Sequence, residues 1–151
     1  MKKFLNHGQS LFEVVIALGL ATLIIVAIVS LATNSIRNTS FSRDKTISTR
    51  YTQEATEWLR GQRDEDWDAF ITNVTFCPAP PYTQCLDTLS WGDCGSCGSD
   101  ELIENRFTRE VSFSDITADS VSMEVKVSWS DSQGSHEVRN STTLTDWRSQ
   151  F

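Results

Sequence analysis

Four cysteines are the residues whose chemistry depends most on spacing. Cys77, Cys85, Cys94 and Cys97 form the pattern C-x7-C-x8-C-x2-C. A structural zinc site needs four thiolate or imidazole ligands; only Cys94 and Cys97 have knuckle spacing, and no histidine lies near them. A reactive CGSC pair should follow a strand and open a helix, whereas this one is embedded in glycine and serine. Disulfides are the expected chemistry, because a loop without a core of its own gains most from covalent staples. Four cysteines allow three pairings, and their spacing does not choose among them.

The other reactive side chains form no constellation. His7 stands near the start of the chain and His136 is alone on an expected strand, so neither has the partners of a general base. No serine sits in a nucleophile elbow. The acids Asp64, Glu65, Asp66 and Asp68 lack the alternation and turn glycine of a calcium loop, so they are expected to form a solvated face. No enzyme activity, metal or cofactor is expected.

Charge narrows the partners. The chain has 151 residues and a net charge of -7. Lys2 and Lys3 precede an apolar run, and the chain beyond residue 8 carries 11 basic against 20 acidic residues. No basic cluster is present after Lys3 to neutralise phosphates, so direct nucleic-acid binding is not expected.

The elements that must position these residues begin with a helix. Val14–Ala32 reads VVIALGLATLIIVAIVSLA, which carries no formal charge and is long enough at about 1.5 Å per residue to cross a bilayer core of about 30 Å. It exceeds the apolar stretch of a secretory signal and has no cleavage motif behind it. Basic residues before it and the acidic bulk after it predict one pass with the N-terminus inside. Helical spacing continues through Ile36, Ile47, Tyr51, Ala55, Trp58, Leu59 and Gln62, with Arg43, Asp44, Arg50, Glu54, Glu57 and Arg60 on other faces. One helix from about Leu11 to about Arg60 is therefore expected, with Tyr51 and Trp58 in its packing face. GQRDEDWD (61–68) is expected to end it, and 78–99 holds too many breakers for regular elements.

Beyond that loop, Val121, Met123, Val125, Val127 and Trp129 alternate with polar residues, as do Phe107, Val111 and Phe113. DSQG (131–134) predicts a turn and HEVRNSTTL a returning strand. Three antiparallel strands need a cover for their apolar face, and the second half of the helix supplies it. The expected fold class is α+β.

Glu13 stands just before the apolar run, where a carboxylate is costly. The stretch around it, Gly8-Gln9-Ser10-Leu11-Phe12-Glu13 after a leader with two lysines, resembles the processing site of type IV pilins and type II secretion pseudopilins. The resemblance covers about residues 1–60 and is architectural after that. It implies cleavage by a prepilin peptidase between Gly8 and Gln9, methylation of Gln9 and a subunit-registering role for Glu13. Two departures are Gln9, where many members have phenylalanine, and the absence of the proline that bends many pilin helices. The cysteines also lie earlier than the C-terminal disulfide of major pilins, bracing the connection between helix and sheet.

The organisation implied is a cytoplasmic leader (1–8), a membrane and filament-core helix (9–32), an amphipathic helix (33–62), a cysteine-rich connection (63–106) and a sheet (107–151). The function implied is that of a minor pilin or pseudopilin. Its partners would be other pilin subunits, the peptidase, an inner-membrane assembly platform and membrane lipids. The competing expectation is an uncleaved single-pass anchor with a binding or thiol-active head.

Overall fold

The computed structural model describes residues 7–148, with side chains from Leu11 onward. Helix α1 spans His7–Glu65 and α2 spans Trp67–Val74. Strands β1 (Tyr82–Cys85), β2 (Thr108–Ser114), β3 (Ser120–Asp131) and β4 (Gly134–Thr145) form one antiparallel sheet in the order β1-β2-β3-β4. The fold is α+β, and the chain divides into two compact units, Met1–Arg43 and Asp44–Phe151.

In the first unit the helix has no proline to break it, and its large apolar side chains from Leu11 to Ile36 are exposed on every face. A helix apolar all round has no stripe with which to sit on a sheet, so its natural surroundings are lipid or other helices. The hydroxyl groups of Thr22 and Thr33 donate to the carbonyl oxygens of Gly19 and Val29 at 2.8 and 2.9 Å, which satisfies them without water.

In the second unit the rest of α1 covers the sheet. Ala55 and Leu59 of α1 and Phe70 and Val74 of α2 pack on Val111, Phe113, Val121, Met123, Val125 and Leu144. Each large side chain buried this way stabilises the fold by about 1.5–3 kcal/mol. Tyr51 meets the Phe107 ring edge to face, and Trp58 stacks obliquely on Trp91. The packing face expected for α1 is thus occupied by the expected aromatics. Beside it runs a polar seam of Asp44, Ser48, Thr52 and Thr56, one helical turn apart and all buried. Asp44 was expected on an outer face; instead it forms an ion pair with Arg106. The Asn140 side-chain amide donates to Thr56 at 3.0 Å, joining the seam to β4.

The meander of β2, β3 and β4 follows the alternation in the sequence, with Val121, Met123, Val125, Val127 and Trp129 all buried. The β3–β4 hairpin closes at the expected turn, where Asp131 pairs with Gly134 and the Asp131 carboxylate accepts the Gln133 amide N–H at 2.7 Å. Gly134 has φ +128, a conformation that glycine adopts without a Cβ clash.

Two expectations give way. Residues 61–68 do not simply end the helix: α1 continues through Gly61 to Glu65, and α2 follows after Asp66. Asp66 caps α2 by accepting the Ala69 amide N–H at 2.9 Å, so this acid has a structural task rather than only a solvated one. Nor is 78–99 free of regular structure. β1 lies within it and pairs with β2 from Tyr82↔Phe113 to Cys85↔Glu110, adding a fourth strand to the three expected.

Candidate functional site

Two places carry the residues singled out by their chemistry: the start of the apolar helix, and the loop that holds the cysteines.

Glu13 lies in α1, exposed, one residue before the run Val14–Ala32. The next formal charge along the helix is Arg37. Among the described residues Glu13 makes no ion pair, so nothing in this chain from Leu11 onward offsets its charge. A charge at the centre of a bilayer costs about 2.5–3.5 kcal/mol on insertion scales, less near an interface. Either the headgroup region or a cation from outside the described residues must supply the compensation. Gly8 and Gln9 precede it by five and four positions within α1, and their side chains lie outside the described residues. The leader residues 1–6 lie outside them as well.

All four cysteines are oxidised, as Cys77–Cys94 and Cys85–Cys97. Cys94 and Cys97, the pair with knuckle spacing, are bound to different partners. The bridges interlace: one ties the chain after α2 to the loop, and the other ties the end of β1 to the same loop. Their Cα–Cα distances are 5.5 and 4.9 Å, within the range in which a bridge forms without moving the backbone.

Two further residues position this loop, and spacing alone did not single them out. A Cβ on Gly92 would stand 1.8 Å from the carbonyl oxygen of Cys85, so only glycine lets the loop pass β1 this closely. Glu110 sits directly across from Cys85 in the sheet, accepts the Cys97 amide N–H at 3.1 Å and pairs with the Lys126 ammonium at 2.6 Å. The available signal was a glutamate within a strand whose neighbours alternate cleanly, which marks a polar group with a specific partner.

His136, expected to stand apart from any catalytic group, has its Nε2 3.0 Å from Asp131 at the hairpin turn and its ring against Trp129. Among the described residues no group of three or more His, Cys, Asp or Glu side chains could hold a metal ion.

Comparison with protein-family models, with curated proteins and with solved structures finds no match to this chain. The geometry therefore carries the functional reading. One helix, near the N-terminus, is long and apolar enough to cross a membrane.

Proposed function

We propose that this chain is a pilin-like structural subunit: a minor pilin or pseudopilin, cleaved between Gly8 and Gln9, held in the inner membrane by α1 and then drawn into a filament. The observation that carries this reading is an uncompensated Glu13 at the start of a helix that is apolar on every face. Such a helix packs equally well on lipid or on copies of itself, and the carboxylate adds one directional contact to an otherwise non-directional surface. Cleavage before Gln9 creates an α-amino group, and that ammonium on one subunit meets Glu13 of its neighbour. Each ion then offsets the other's desolvation and sets the axial register.

In this reading the N-terminus starts in the cytoplasm and the disulfide-bearing unit outside it. Its partners are other subunits of the filament, the prepilin peptidase and an inner-membrane assembly platform. The oxidised cysteines support export, because reducing compartments do not preserve such bridges.

The test is incorporation. Glu13→Ala should insert in the membrane and fold normally, since removing a charge eases insertion. Recovery of the chain in sheared filaments relative to membranes should fall, because breaking a buried pair costs roughly 3–5 kcal/mol. Equal incorporation at equal expression would favour the uncleaved anchor with a binding or thiol-active head.

A further inference from the structure

A cavity of about 490 Å³ opens beside the stapled loop, between the end of α2, β1 and the turn around Gly92. Its wall carries three carboxylates, Asp87, Asp93 and Glu101, and no basic side chain. Trp91 and Phe76 supply aromatic surface, and Phe76 is 75% exposed, far more than a packing residue would be. Trp91 is held in place by its indole N–H, which donates to Gln62 at 3.1 Å. The carboxylates of Asp87 and Glu101 accept backbone N–H groups of their own loop, whereas that of Asp93 has neither hydrogen bond nor ion pair among the described residues.

Gln84 gives an independent indication of what the cavity would hold. It lines the wall, is 1% exposed, and donates its amide to the carbonyl oxygen of Asn73 at 2.8 Å. Its Oε1 is buried without a hydrogen-bond partner. A buried acceptor left unmade costs free energy that a donor would recover. The cavity therefore presents acceptors and aromatic faces and lacks a donor. The wider charge pattern agrees: from Asp64 to Asn105 there are nine carboxylates and no lysine, arginine or histidine.

We propose that this cavity binds a guanidinium or ammonium group carried on a short apolar stem. Such a group is all donor and is attracted both to carboxylates and to the faces of tryptophan and phenylalanine. A divalent metal is a poorer occupant, because the three carboxylates are not gathered into a group that could hold one. The two disulfides hold the walls before the ligand arrives: Cys77 follows Phe76, Cys85 follows Gln84, and Cys94 follows Asp93. Little ordering is then left to oppose binding. The ligand is either a free organic cation or the side chain of a lysine or arginine on another protein. This binding does not depend on whether the chain enters a filament.

The test uses the full chain in uncharged detergent micelles, following the Trp91 indole N–H by NMR during titration. The probes are butylguanidinium chloride and the peptide acetyl-Gly-Arg-Gly-amide, with sodium chloride at matched ionic strength as reference. Both probes should give a saturable shift that sodium does not give. Saturation by both shows that a free cation suffices, and saturation by the peptide alone assigns the site to a side chain of a partner; either upholds the proposal. Asp93→Asn should weaken binding about fivefold or more, as expected for loss of a charge-assisted hydrogen bond. Phe76→Ala, a change at an exposed position that leaves folding intact, should weaken it as well. No saturable shift, or binding unchanged in both variants, would overturn it.

Discussion

The guanidinium of Arg109, 3% exposed on the apolar face of β2, reaches the carboxylate of Glu54 on α1 at 3.4 Å. Its Nε also donates to the carbonyl oxygen of Leu86 at 2.8 Å, so one side chain ties helix, sheet and cysteine loop together. Burial pulls its pKa below the usual guanidinium range and the neighbouring Glu54 carboxylate opposes that shift, so the group keeps its charge.

The two partners are therefore unequal. Arg109→Ala should destabilise the second unit by about 3 kcal/mol, because it strands the Leu86 carbonyl and opens a void. Glu54 is half exposed, so water replaces much of what it offers, and Glu54→Gln should cost about 1 kcal/mol or less. Urea unfolding followed by tryptophan fluorescence separates the two. Equal losses would mean that the ion pair, rather than burial and the Leu86 contact, fixes this corner.

The bridges give a covalent prediction. Alkylation under denaturing, non-reducing conditions should label no cysteine, and reduction should release four thiols. Peptide mapping should recover Cys77 with Cys94 and Cys85 with Cys97; a Cys94–Cys97 link would contradict the arrangement described. Removing Cys77–Cys94 by a double serine substitution should cost about 2–4 kcal/mol, as for a loop of this length.

A pH dependence follows from Asp64. Its carboxylate accepts the Trp147 indole N–H at 3.0 Å, and that bond, helped by the Arg63 guanidinium, holds its pKa below the usual carboxylate range. A depressed folded-state pKa contributes stability that is complete above the unfolded value of about 3.9 and is lost as pH falls through the lower folded value. The Trp147 indole resonance should thus hold its position down to the ordinary carboxylate range and move only below it. Asp64→Asn should remove that acid transition while leaving the sheet intact.

How much of this was legible depended on the length of each element. VSMEVKVSW gives nine residues of clean alternation and α1 gives many turns of helical spacing, so both were readable and both lie where expected. WDAFITNV, by contrast, makes two turns with only Phe70 and Val74 fully buried, and YTQC is four residues long after a pair of prolines. Neither spans enough repeats for a period to stand out; pairing with β2 and a disulfide decide β1 instead. Asp44 and Arg109 were misread or missed for a shared reason: a charge that is buried because it has found a partner far along the chain looks, locally, like any surface charge. The pairing of the cysteines was left open by counting and required the loop's path, which Gly92 sets. At the other end, Glu13 was legible because a lone acid beside a membrane-length apolar run has few inexpensive explanations.

The central claim, that this chain matures as a pilin-like subunit, rests on what happens between Gly8 and Gln9. Mass spectrometry of the intact protein, purified from membranes of cells with an active prepilin peptidase, reads this directly. The account predicts loss of Met1–Gly8 and one added methyl group on Gln9, with the longer form persisting when the bulky Gly8→Val blocks the cut. An intact N-terminus in such cells, or normal maturation of Gly8→Val, would contradict it.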